Sequence, residues 1–169
     1  MLYKINLENL LFLDIETVPE QPAFNELSEE KRLLWEQKSK YQRKEEFSPE
    51  EFYNRAGIWA EFGKIICISV GYFVQFGENK NFRVTSFSGD EVNLLKDFKT
   101  LLQEHFNQSK HLLCAHNGKE FDFPYIARRM LINGIKLPYK LDLFGWMEAW
   151  YVMYSIKKMI WKELLPIAN

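Results

Sequence analysis

In the stretch LLFLDIETVPE (residues 10–20) a run of apolar residues leads into Asp14 and Glu16, two acids separated by one spacer. In an extended strand, residues i and i+2 project from the same face. The two carboxylates therefore stand side by side, and Ile15 turns the other way. Two like charges that close repel, and in a dry setting one of them protonates unless a cation intervenes. Carboxylate pairs are what hard cations such as Mg²⁺ and Mn²⁺ take as ligands. The plainer alternative is a frayed strand end with both acids in water. A second chemically loaded stretch is CAHNGKEFDFPYIARR (114–129), in which Asn117 sits just past a short strand and Phe121-Asp122 opens a helix.

The elements that must position these groups follow from local patterning. LLFLDIE reads as a central strand. KIICISVGYFVQF (64–76) is a strong strand signal, NFRVTSFS (81–88) alternates as a half-buried one, and GENK between them supplies a hairpin turn. Residues 90–107 place Leu94, Leu95, Phe98, Leu101, Leu102 and Phe106 at helical spacing. HLLCAHN then reads as a short buried strand, followed by a helix that Asn133-Gly134 ends. Residues 19–56, rich in Glu, Lys, Arg and Gln, read as one or two exposed helices inserted after the first strand. Ser48, Pro49 and Glu51 there have capping-box spacing. The balanced charges of the insert are most simply a solvated face, or else a flap beside the site. The order predicts an α/β fold, a mixed sheet with helices packed on it.

Bulk properties narrow the function. At 169 residues the chain can bury a real core, and 47% hydrophobic and 16% aromatic content argue against disorder. A net charge of −1 gives no global field toward nucleic acid or anionic membrane, so polyanion binding must come from a local patch or bridging cations. Cys67 and Cys114 lie in apolar runs without CxxC spacing and read as buried free thiols of a cytoplasmic protein. No signal-peptide pattern opens the sequence, and no apolar run approaches a membrane span.

Taken jointly, Asp-x-Glu on one strand and Asn-x-x-x-Phe-Asp at a strand-to-helix junction, with AEFGKIICISVGYF between them, resemble the DEDD superfamily of 3′→5′ exonucleases on a ribonuclease H-like fold. The resemblance is to predicted exonucleases related to the proofreading domain of family B DNA polymerases, over residues 8–145. It implies a ribonuclease H-like sheet of three antiparallel strands plus a parallel one, flanked by helices. It also implies hydrolysis of single-stranded DNA or RNA from the 3′ end. Two divalent ions, Mg²⁺ or Mn²⁺, would be held by Asp14, Glu16 and Asp122, clamping the attacking and leaving oxygens of a phosphodiester. Thr17 would offer its backbone N–H or hydroxyl to the terminal nucleotide, or merely fill strand space. Asn117 would orient the substrate or form an Asx-type turn. Phe121 would touch the substrate or pack under the site. His116 reads as a loop hydrogen-bonder rather than a base, and Arg128 and Arg129 as meeting phosphate or solvent.

After Asp122 the resemblance thins. The Tyr-x-x-x-Asp or His-x-x-x-x-Asp motif that supplies the family's fourth ligand and its water-positioning group has no match here. YKLD (Tyr139–Asp142) is one residue too short, which makes Asp142 a loop acid. The expectation is a C-terminally incomplete fold: a domain over 1–145 with a helical insert at about 19–57, and an atypical tail, 146–169, that a frameshift or premature stop would explain. The competing readings are a non-catalytic nucleic-acid-binding relic and a structural domain whose acids are unrelated to metal.

Overall fold

The computed structural model of the chain describes residues 6–44 and 46–141. Asp142 and the tail 146–169 lie outside the described residues. Strands β1 (Leu10–Pro19), β2 (Gly63–Phe76), β3 (Asn79–Ser88) and β4 (Leu112–Cys114) form one sheet in the order β3-β2-β1-β4. The pairs β1–β2 and β2–β3 are antiparallel and β1–β4 is parallel, the mixed sheet that the sequence predicts. Gly77, with φ +61°, makes the β2–β3 turn, a left-handed backbone that glycine adopts without strain.

One face of the sheet is covered by helices α2 (Glu91–Glu104) and α3 (Asp122–Ile132). Leu11, Leu13 and Ile15 of β1 and Ile65, Ile68 and Val70 of β2 meet Leu94, Leu95, Phe98 and Leu102 of α2 and Tyr125, Ile126 and Met130 of α3 in a continuous core. Asp90 starts α2 by accepting the Asn93 N–H at 3.1 Å.

The insert is more than a solvated surface. Helix α1 (Glu29–Arg43), capped by Ser28, and a 3-10 helix over Glu51–Ile58 enclose a second core of Leu27, Trp35, Phe52, Tyr53, Ala56 and Phe62. Trp35 is fully buried, donates its indole N–H to the Pro49 carbonyl at 2.7 Å and meets four aromatic rings edge-on or tilted. The capping box at Ser48 is formed: its N–H donates to the Glu51 carboxylate at 2.8 Å, and the Glu51 N–H donates to Ser48 Oγ at 3.2 Å.

Two expectations about burial are corrected. The strand around Cys114 is not buried: β4 has three residues at the margin of the described sheet, and Leu112 and Cys114 are exposed. Both thiols are free, but Cys114 is exposed and Cys67 half-buried, because both project away from the helix-covered face. No helix among the described residues is long and apolar enough to cross a membrane.

Trp35→Ala removes the centre of the insert core and should cost about 3–5 kcal/mol, the usual range for a buried tryptophan. Urea denaturation measures the loss. Limited proteolysis should then cut first within residues 29–58, and an unchanged cleavage pattern would deny the insert a core of its own.

Candidate active site

The acidic pair comes out of β1 as its alternation requires. Asp14 and Glu16 are exposed on the face opposite the core, while Leu13 and Ile15 are buried. A β-bulge between Glu16 and Thr17 shifts the register with β2, pairing Glu16 with Cys67 but Thr17 with Ile65. Bulges bend a strand and re-aim its side chains, and this one directly follows the acids.

The cross-strand neighbours of the acids are small and polar. Asp14 lies opposite Ser69, which lies opposite Ser86, and the two hydroxyls are 2.9 Å apart. Glu16 lies opposite Cys67, which lies opposite Ser88. Directly opposed residues share a sheet face, so a strip of short side chains runs away from each carboxylate. Beside it Phe12, Phe73 and Phe82 cluster with ring centroids 4.9–6.3 Å apart, and Phe82 is half exposed. Sequence reasoning missed this strip; its signal is the alternation of small residues Cys67-x-Ser69-x-Gly71 between large apolar ones in β2.

Asp122 reaches the site from the other side of β1. β4 stops at Cys114, opposite Phe12, so the edge of β1 from Asp14 onward has no strand partner there among the described residues. The first residue of α3 fills that gap. Asp122 is 2% exposed, and burial pushes its carboxyl above the ordinary range. Its own N–H pulls the other way, the Asp14 charge adds to the rise, and the Ile15 N–H and the His116 charge oppose it. The structure therefore brings Asp122 close enough to Asp14 for their charges to interact. Among the described residues, no group of three His, Cys, Asp or Glu side chains converges closely enough to hold a metal ion.

The remaining candidates have clear structural surroundings. Asn117 has φ +54° and offers its carbonyl to the N–H groups of Glu120 and Phe121, both at 3.0 Å. It is the left-handed residue of the turn into α3, a conformation asparagine tolerates. Gly118 follows because a Cβ there would lie 2.6 Å from the Ala115 side chain and 2.7 Å from the Phe123 ring. Phe121 packs against the main core and the Tyr125 ring, centroids 5.4 Å apart. The Tyr125 phenol, close to the Thr17 side chain, donates its O–H to the Gly57 carbonyl at 2.7 Å. His116 is exposed.

Arg129 corrects the expectation of a phosphate or solvent contact. It is 4% exposed and forks onto Glu91, Nε to Oε1 at 2.8 Å and Nη2 to Oε2 at 2.5 Å, with Nη1 donating to the Ala60 carbonyl at 2.9 Å. Glu91 also accepts the Ile65 N–H at 2.8 Å and the Asn133 amide at 3.1 Å. Arg128 is half-buried, and its Nε has no partner among the described residues.

A family model described as the RNase_H superfamily matches residues 55–164, a span that contains Asp122 and continues past Gly145. No curated protein and no solved structure matches the chain.

Two predictions concern how the acids are held. A carboxyl with a raised folded pKa binds its proton more tightly than in the unfolded chain, so stability falls as pH rises from the ordinary value of 3.8 through the raised one. In chelator at neutral pH, Asp122→Asn should therefore melt higher than wild type and lose that part of the pH dependence. A lower melting point with an unchanged profile would refute the burial cost. Arg129→Ala leaves Glu91 buried without its cation and should cost about 3–5 kcal/mol by urea denaturation.

Proposed function

The chain belongs to the RNase H superfamily, and on that premise we propose that it is a nuclease that removes nucleotides from the 3′ end of single-stranded DNA or RNA. The family supports nuclease chemistry in general. What supports the finer reading is that Asp14 and Glu16 share the exposed face of β1 beside its bulge, while Asp122, at the start of the helix near that strand's open edge, lies close enough to Asp14 for their charges to interact. The DEDD exonuclease resemblance rests on these same residues.

The donor set suits hard divalent cations. All three groups are carboxylates, Asp122 is buried next to the Asp14 charge, and a cation would relieve the cost of ionising both. Asp14, Glu16 and Asp122 would hold Mg²⁺ or Mn²⁺, which when bound would polarise the phosphodiester and assist in activating water. The chain's own contributions are positional. The small side chains of Cys67, Ser69 and Ser86 leave room above the sheet beside Asp14 and Glu16. The exposed ring of Phe82 offers a surface on which a base can stack. The turn at Asn117 and the packing of Phe121 set the start of α3 and so the height of Asp122.

In this proposal the nuclease domain is residues 1–145. The second reading, a nucleic-acid-binding relic, is favoured by one feature: none of the described residues matches the fourth carboxylate of the resembled family. A positioned acid–base group is typically worth about 10²–10⁴-fold in rate, so its loss would leave a slow enzyme or an inert one.

Digestion of 3′-labelled single-stranded DNA with Mn²⁺, comparing the 169-residue chain with Asp14→Ala, tests the choice. Mononucleotide release that falls at least about 10²-fold in the variant is the expected result. Binding without release in either protein would establish the relic.

A further inference from the structure

The insert carries a feature that the acidic site does not use. Lys40, Tyr41, Gln42, Lys44 and Arg55 line an open cleft of about 620 Å³. Its three cations come from two elements. Lys40 lies in the last turn of α1 and Lys44 at its C-cap, whereas Arg55 belongs to the 3-10 helix. A helix C-terminus alone accounts for nearby lysines, but not for a guanidinium brought in from a separate element. Arg55 is set in place by the Phe52 ring, 5.4 Å below its guanidinium carbon.

Among the described residues, no carboxylate lies within ion-pair distance of these three cations. The neighbouring ion pairs are Lys38 with Glu61 and Arg43 with Glu36, and the Glu51 carboxylate is turned to Ser48. Tyr41, at the same cleft, is 91% exposed, so its ring face is open to a partner. Lys44 has φ +51°, a strained conformation for a lysine that places it at the cleft rather than continuing the helix.

The 3-10 helix that carries Arg55 abuts the strand that carries the acids. Arg55 is two residues before Gly57, where a Cβ would lie 3.1 Å from the Val18 backbone, just past Glu16 on β1. The Glu20 N–H donates to the Phe62 carbonyl at 2.8 Å, tying the other side of the insert to the same strand end.

We propose that this cleft is a binding surface for single-stranded nucleic acid, with phosphates on Lys40, Lys44 and Arg55 and a base stacked on Tyr41. Spaced cations with an interleaved aromatic are how such strands are held without reading their sequence. The inference rests on the nuclease reading in one respect: it makes the insert the path of the strand leading away from the acids. A chain of net charge −1 thus concentrates its attraction for a polyanion in one place.

The test is fluorescence anisotropy with 5′-labelled oligothymidylate in EDTA over a series of salt concentrations, with a trinucleotide as the short probe. Lys40→Ala/Lys44→Ala/Arg55→Ala should flatten the slope of log affinity against log salt by about 2, three phosphate contacts at ~0.7 each. Tyr41→Ala should weaken long-oligonucleotide binding by about tenfold at fixed salt, the worth of one base stack, without changing the slope. Trinucleotide hydrolysis in Mn²⁺ should be the same in all three proteins. All four substituted side chains are exposed, so the variants should fold, which circular dichroism checks. An unchanged slope in the triple variant, or a wild type that does not bind, overturns the cleft. A lost slope without any hydrolysis by wild type supports the cleft and sinks the nuclease reading instead.

Discussion

Arg129 and Glu91 form a buried, two-pronged ion pair between α3 and the first residue of α2, and that pair fixes the helix that carries Asp122. Neither charge could stay in the core alone. Each is repaid by further hydrogen bonds: Arg129 donates to the Ala60 carbonyl, and Glu91 accepts from the Ile65 backbone and the Asn133 amide. Four separate pieces of chain, the head of β2 included, are thereby held in one arrangement. Buried pairs seldom add net stability; what this one supplies is a unique position for α3. Two turns earlier on the same helix, Asp122 inherits that position.

A second tie acts closer to the acids. The Tyr125 hydroxyl sits among Gly57, Thr17 and Gly63, and a Cβ at Gly63 would come within 2.2 Å of it. Burial holds its phenol well above the ordinary pKa, so it stays a neutral donor. Through this one oxygen, α3, the bulged end of β1 and the insert are all in contact. The insert is therefore not hung on the sheet by its two chain ends alone, and its aromatic core around Trp35 gives it the rigidity to present side chains of its own.

Much of this was legible in the sequence, for a local reason. β1, β2, β3, α2 and α3 announce themselves by period, and the Ser48–Glu51 box by spacing, because those signals arise between residues a few positions apart. The side-by-side projection of Asp14 and Glu16 follows from the same geometry. What escaped depends on distant partners. Nothing in residues 19–57 says that Trp35 will meet Phe62, and nothing in ARR says that Arg129 will find Glu91, 38 residues away. The exposure of Cys114 was misjudged because an apolar tripeptide looks alike in the middle and at the margin of a sheet.

The placement of Asp122 joins these points. A strand edge left open after Phe12 exposes backbone N–H groups, and an ordinary fold would satisfy them with another strand. Here the Asp122 carboxyl comes near the Ile15 N–H, and it lies within reach of a second carboxylate's charge as well. An uncharged asparagine could meet the same N–H without the repulsion. A buried acid kept next to another acid works against the stability of the empty protein, and folds carry such a cost where a group outside the chain relieves it. In the proposed carboxylate set drawn from β1 and α3, that group would be a cation, and affinity for it would rise with the discomfort of the acids without it. On the same reasoning a fourth carboxylate would add charge to hold a cation, while the repulsion between Asp14 and Asp122 is what a cation would relieve.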